Sequence, residues 1–258
     1  MGGVSKRIAV TGGAGALGSA VVRQLRGRAD VIVVTRRPEA VPPGVEVRPA
    51  DFDDIGPEAF AGAGAVLVVS TDQRDNERRA AQHAAAIAAA AEAGAGHLVY
   101  TSLAGCDGPP DMLNAAHRAS EAALRASGVP WTSLRNNLYL EGLDGLLAAA
   151  AATGRYVSNA GGGGVAYVSR DRCARVAAEA LLQPARGVVE VHGPRVLNAA
   201  AVAALLSERL GRTIEPVLLD DREYGEHLLS TGAPPALVAA LVALGQAIRD
   251  GVYAGAPA

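Results

Sequence analysis

Short runs of apolar, mostly β-branched residues recur at 8–10, 31–34, 45–47, 66–69, 97–101 and 131–134, and most are separated by stretches with helical apolar spacing. A run that is apolar at nearly every position marks a strand covered on both faces, and alternation of such strands with helices marks a parallel sheet. Right-handed crossovers then give a doubly wound α/β arrangement. After about residue 150 the pieces shorten: 155–157, a glycine run at 161–164, 165–168, a helix over 171–182 and a strand over 188–191. The last sixty residues read as mainly helical, punctuated by Pro216 and the Pro234–Pro235 pair. The expectation is a main domain over 1–152 and a smaller C-terminal α+β lobe over 153–258, with some of its strands returning to the main sheet and a cleft shared by the two. The glycine run reads as a flexible hairpin tip, or as a lid over that cleft.

The first apolar run ends in Thr11, Gly12, Gly13, Ala14, Gly15, Ala16, Leu17 and Gly18, and a helix with its apolar face on Leu17, Val21, Val22 and Leu25 follows over roughly 14–26. A glycine-rich turn between a buried strand and a helix allows a tight bend, close backbone approach to a pyrophosphate and close helix–strand packing. The helix start presents unpaired N–H groups to the phosphates. The predicted fold is therefore a Rossmann-type doubly wound parallel sheet that binds a dinucleotide. Ligands of such sheets lie beyond the carboxyl ends of the strands. This singles out Thr35–Arg37, Asp51 and Phe52, Ser70, Thr71 and Gln73, Thr101 and Ser102, and the segment from Arg135 to Tyr139.

Composition narrows the ligand. The chain has 258 residues, a net charge of −2 and no long basic run, which argues against nucleic acid or an anionic membrane as partner. Cys106 and Cys173 lack metal-ligand spacing, so neither a disulfide framework nor a metal site is expected. With no secretory h-region and no spanning apolar run, a cytoplasmic protein is expected. An alanine-rich helix face offers a surface for a homodimer.

The second strand runs into Thr35, Arg36 and Arg37 where an NAD site would place a carboxylate. Guanidiniums there suit a 2′-phosphate, so NADP(H) is the expected cofactor. Asp51 and Phe52 could flank the adenine, or Phe52 could belong to the core.

These motifs, with VTRRPE at 34–39, ADFDD at 50–54, QHAAAIAAAAEAG at 82–94, HLVYTSLAG at 97–105, AAHRASEAALRASGVPWTSLRNNLY at 115–139 and YVSRDRCARVAAEAL at 167–181, resemble the NmrA-like group of atypical short-chain dehydrogenases/reductases. Within it the chain is most similar to bacterial type 2 NADPH:quinone oxidoreductases and triphenylmethane reductases. The resemblance implies pyrophosphate on 12–17, the 2′-phosphate on Arg36, and a nicotinamide side lined by Ser70, Thr71, Thr101, Ser102, Asn136, Asn137 and Tyr139. Asn137 and Tyr139 rest on the resemblance alone.

Typical short-chain dehydrogenases pass a proton through a Tyr and a Lys four residues later. Lys6 is the only lysine, and the corresponding helix positions hold Leu113 and His117. Hydride transfer to a quinone or similar conjugated acceptor tolerates this, because the reduced oxygens can collect protons from water. The candidate catalytic residues are Ser102, as a donor to the acceptor or else a turn or cap residue, His117, as a donor to the ribose or the acceptor oxygen or else a partly buried helix histidine, and Tyr139. His83 reads as structural. The expected function is an NADPH-dependent oxidoreductase acting on a small conjugated acceptor. The alternative is an NmrA-type regulator that senses NADP without chemistry.

Overall fold

A computed structural model describes residues 6–109 and 111–255. The first elements in chain order are β1 (Arg7–Thr11), α1 (Ala16–Leu25), β2 (Asp30–Thr35), β3 (Glu46–Pro49), β4 (Ala65–Val68), α2 (Asn76–Glu92), β5 (Leu98–Leu103), α3 (Ala115–Ala126) and β6 (Trp131–Asn136), with only short 3-10 turns between β2, β3 and β4. After these come α4 (Leu147–Thr153), β7 (Arg155–Ser158), β8 (Gly164–Val165), α5 (Arg170–Leu182), β9 (Gly187–Val191), β10 (Leu197–Asn198), α6 (Ala199–Leu210), β11 (Glu215–Leu218), α7 (Asp221–Ser230) and α8 (Pro235–Arg249).

The strands β3-β2-β1-β4-β5-β6-β9 form one seven-stranded sheet, every pair parallel. The strand order reverses between β1 and β4, the position at which doubly wound sheets bind ligands. Side chains alternate between the two faces. Ala9, Ile32, Val34, Val66, Val68, Leu98 and Tyr100 pack with Phe60 and with α2 and α3 residues such as Ala86, Ile87, Ala90 and Leu124. The intervening Ile8, Val10, Val33, Leu67 and Val99 are equally buried, on the face taken by α1 and α5. Burial on both faces explains why these strands read as unbroken apolar runs.

The chain divides into two compact units, residues up to Asn136 with Arg170–Val191, and Asn137–Ser169 with the residues from His192 onward. Thus α5 belongs to the unit of the seven-stranded sheet, and β9 is a strand of that sheet. In β9 half-buried and exposed positions alternate until buried Val191, so one face of this edge strand is covered and the other meets solvent. The second unit holds two small sheets, β7 parallel to β11 and β8 antiparallel to β10. Its core is built from Leu143, Ala150, Val202, Ala203, Leu206 and Ile214. The apolar stretch 165–168 pairs as strand only at Gly164–Val165, and Val168 forms an isolated bridge with Tyr139. Asp221 ties α7 to α8 by accepting hydrogen bonds from Arg249, Gln246 and Asn159.

Candidate functional site

The turn after β1 depends on its glycines for two separate reasons. Gly12 has φ +59°, a left-handed conformation that side chains disfavour. A Cβ at Gly18 would lie 2.3 Å from the carbonyl oxygen of Gly12, so α1 could not sit this close to the turn with any other residue there. The Gly15 N–H donates to Gly12 O at 2.8 Å, which closes the turn and delays α1 to Ala16, slightly after the start expected from the sequence. No side chain caps α1 and its first turn carries no acid. Thr11, Gly12, Gly13, Ala14, Gly15, Ala16 and Leu17 thus form a backbone cradle ahead of a positive helix end.

At the end of β2, Thr35 is buried and its hydroxyl accepts the backbone N–H of Arg37 at 3.1 Å. Arg37 also reaches Ala14 O at 3.4 Å, linking this corner to the glycine turn. Arg36 points outward and meets Asp51, which follows β3, at 3.5 Å. Phe52 is half-buried against the α2 side of the core, edge-on to His83. Asp53 is bonded by Arg78 and Gln82, and these bonds hold its carboxyl below the usual range.

Beyond β4 three consecutive backbone N–H groups each donate to a side chain from a different element. Val69 donates to Thr11 Oγ1 at 2.8 Å, Ser70 to Thr101 Oγ1 at 2.8 Å, and Thr71 to His83 Nε2 at 2.9 Å. Gln73 accepts the Asp75 N–H, and Asp75 caps α2. The strand ends of β1, β4 and β5 are thereby fixed to one another at the topological switch.

Ser102 and His117 both lie inside the first unit. Ser102 Oγ donates to Glu121 Oε1 at 2.8 Å, Ser133 Oγ does so at 2.9 Å, and Arg135 grips both Glu121 oxygens at 2.9 Å. Arg135 and Glu121 are 3% and 2% exposed at their side chains, so this is a fully buried ion pair, extended outward by Asp107. Burial pushes the Glu121 carboxyl up, but the bonds from Arg135, Ser102 and Ser133 outweigh it and bring it to about 2. Both His117 nitrogens are engaged, Nδ1 with Tyr100 at 2.8 Å and Nε2 with Arg79 at 3.1 Å. Burial first, then Arg79 and His83, hold its pKa down at about 3.

Asn136 is buried at the end of β6, and its carbonyl accepts the Ala104 N–H. Asn137 and Tyr139 belong to the second unit. Asn137 there donates to Tyr253 O at 3.0 Å, and Tyr139 carries the bridge to Val168.

The sequence reading passed over the polar clusters of the first unit, Tyr100 with His83 and Arg79, and Glu121 with Arg135. A signal was present. Tyr100 and Ser102, like Ser133 and Arg135, are polar at two-residue spacing in strands otherwise read as buried, and buried polar groups require partners.

A parallel doubly wound sheet, a glycine turn at its switch point and an uncapped helix behind that turn define a Rossmann-type dinucleotide-binding protein. The chain belongs to the NAD(P)H-binding family, whose model matches residues 12–184. It is 30% identical to quinone oxidoreductase 2 of Escherichia coli over 241 residues, 89% of this chain and 84% of that protein. Among solved structures, the E. coli NADPH-dependent quinone oxidoreductase bound to NADPH matches with a TM-score of 0.88 and 29% identity, covering 95% of this chain and 90% of that one. The Citrobacter sp. triphenylmethane reductase bound to NADP(H) matches with a TM-score of 0.83 and 30% identity, covering 97% and 92%. The chain is accordingly an NAD(P)H-dependent oxidoreductase. Its own residues fit that cofactor, since α1 starts without a side-chain cap or an acid behind the glycine turn and two arginines follow β2.

Proposed function

We propose that this oxidoreductase takes NADPH and passes hydride directly to a quinone or a similarly flat, conjugated electrophile, without a Tyr/Lys proton relay. The observation that carries this reading is the state of the groups beside β5. Ser102 spends its proton on Glu121, and both His117 nitrogens are bonded within the fold. The one lysine, Lys6, precedes β1 and donates to Leu181 O at 2.6 Å, at the opposite end of the strand from the glycine turn. The only lysine therefore stands away from the strand ends, so no tyrosine–lysine pair can form there. An acceptor whose reduced oxygens draw protons from solvent needs none.

When bound, the dihydronicotinamide supplies the hydride. The chain contributes position: the glycine turn and α1 for the pyrophosphate, Arg36 and Arg37 for the 2′-phosphate, and the Val69–Thr101 strand ends for the nicotinamide side. Ser102 and His117 act in this reading by holding β5 and α3 in register. The two relatives named for quinone and triphenylmethane reduction support the acceptor class.

The test is NADPH oxidation, followed by its absorbance, with benzoquinones, naphthoquinones, enones and cationic dyes as acceptors. Saturable, enzyme-dependent oxidation with at least one acceptor class is expected. Tight NADPH binding with only background oxidation across the panel would replace this reading with that of an NADP sensor.

A further inference from the structure

Three elements of the first unit bring Tyr100 from β5, His83 from α2, and Ser120 and His117 from α3 into one closed polar cluster. Tyr100, His83 and Ser120 have no exposed surface, and His117 is 5% exposed. Such a cluster has many hydrogen-bonding solutions in principle, but two contacts here allow only one. The nearest group facing His83 Nε2 is the backbone N–H of Thr71, at 2.9 Å, with the Thr71 hydroxyl, which donates to Gln82, farther away at 3.4 Å. The group facing His117 Nε2 is Nη2 of Arg79, at 3.1 Å. An amide N–H and a guanidinium can only donate. Both Nε2 atoms must therefore accept, and a neutral imidazole then carries its proton on Nδ1.

Burial and the Arg79 charge hold both rings neutral, each with a pKa of about 3. The directions of the Nδ1 contacts then follow. His83 Nδ1–H donates to Ser120 Oγ at 2.8 Å, and His117 Nδ1–H donates to the Tyr100 oxygen at 2.8 Å. The Tyr100 oxygen also lies 3.1 Å from His83 Nδ1, and Ser120 Oγ donates to the Ala116 carbonyl at 2.7 Å. The arm that starts at the Thr71 amide runs through His83 and Ser120 to the Ala116 carbonyl, and the arm that starts at Arg79 runs through His117 to Tyr100.

We propose that His83 is a positioning residue of this enzyme, locked in its Nδ1–H tautomer by Ser120 and Tyr100 so that Nε2 holds the Thr71 backbone where the chain leaves β4. The proposal rests on the reading that Thr71 flanks the nicotinamide. Free imidazole favours the Nε2–H form, which here would set two N–H donors against each other and release Thr71. The polar cluster beneath the strand ends removes that alternative. Thr71 is also held by its hydroxyl, which donates to Gln82 Oε1 at 3.0 Å, so backbone and side chain are anchored on the same turn of α2.

Imidazole ¹⁵N NMR on the full chain without cofactor at neutral pH reads the tautomers directly. A pyridine-type Nε2 and a pyrrole-type Nδ1 are expected for both His83 and His117. A pyrrole-type Nε2 on His83, or an imidazolium signal, overturns the proposal whatever the cofactor does. Kinetics then test the consequence. His83→Leu removes the acceptor, whereas His83→Gln keeps one acceptor and one donor on a side chain of similar reach. The expected result is a kcat for NADPH-dependent acceptor reduction lowered about tenfold in His83→Leu, with the NADPH KM changed less than about threefold, and largely recovered in His83→Gln. Equal kcat in the wild type and His83→Leu overturns it. Should His83→Leu fail to fold, the NMR measurement on the wild type still decides the tautomer. A wild type that binds NADPH but reduces no acceptor would sink the proposed function, and the tautomer result would be read independently of that failure.

Discussion

Arg36 already has a carboxylate partner when no phosphate is present. Its contact with Asp51 at 3.5 Å joins side chains that are 67% and 38% exposed, so it adds little to stability, and its importance lies in competition for the guanidinium. A 2′-phosphate would have to displace Asp51 or share Arg36 with it. Arg36→Ala is expected to weaken NADPH binding by about 1.5–3 kcal/mol while leaving NADH nearly unchanged. Asp51→Asn, which frees Arg36, is expected to tighten NADPH relative to NADH. Calorimetric titration of both nucleotides checks the pair, and an unchanged NADPH/NADH ratio in both variants would remove the 2′-phosphate from this corner. Residues at this scale were legible in the sequence where a strand ending marked them. Thr35, Arg36 and Arg37 stand out because the apolar run stops there, but the Asp51 contact depends on β2–β3 register. The partners of Ser102 and His117 were hidden for the same reason. Glu121, Arg135, Tyr100 and Arg79 come from four elements, and no local spacing encodes their distances.

The pairing of β5 with α2 and α3 has a measurable acid dependence. His83 and His117 have pKa values near 3, and His97, beside Lys6 and Thr132 at the start of β5, has one near 4, in each case mainly through burial. All three lie below the ordinary value of 6.5. Between these limits the unfolded chain binds more protons than the folded one, so stability is complete above about pH 6.5 and falls as the pH drops toward 4 and then 3. Each ring contributes a slope of up to roughly 1.4 kcal/mol per pH unit across that window. Thermal midpoints are expected to fall steeply below pH ~6, and the His97→Gln/His117→Gln double variant should show a shallower fall. An identical slope in the double variant would mean that these rings are already charged in the fold. The elements themselves were largely legible, since β1 to β6 and α1 to α3 follow from short runs rich in apolar residues and from helical spacing. Their ends were less so. The start of α1 was set by the Gly12–Gly15 hydrogen bond, and the stretch 165–168 was cut short because only two residues find a pairing partner.

For the whole molecule, the strand–helix rhythm made the doubly wound architecture legible, and it carried the expectation that some C-terminal strands return to the main sheet, without saying which. The chain leaves the nucleotide-binding unit after Asn136, returns for α5 and β9, and leaves again after Val191. That return covers α1 with α5 and pairs β6 with β9. A fragment ending at Asn136 is therefore expected to lack cooperative unfolding and NADPH binding, because β6 becomes an open edge and the α5 face of the sheet is stripped. Joining Asn136 through a Gly/Ser linker to Arg170–Val191 should restore both, as read by circular dichroism and nucleotide titration. Cooperative unfolding of the shorter fragment would show that the return is dispensable.

The same interruption gives the protein a history during synthesis. A ribosome that has finished β6 must still deliver a segment destined for another body before the last strand of the sheet emerges. Through that interval the nascent sheet carries a bare margin able to recruit neighbouring chains. Slow passage through the codons for 137–169 would prolong this exposure, so the risk of misassembly depends on the tempo of translation as well as on the finished fold.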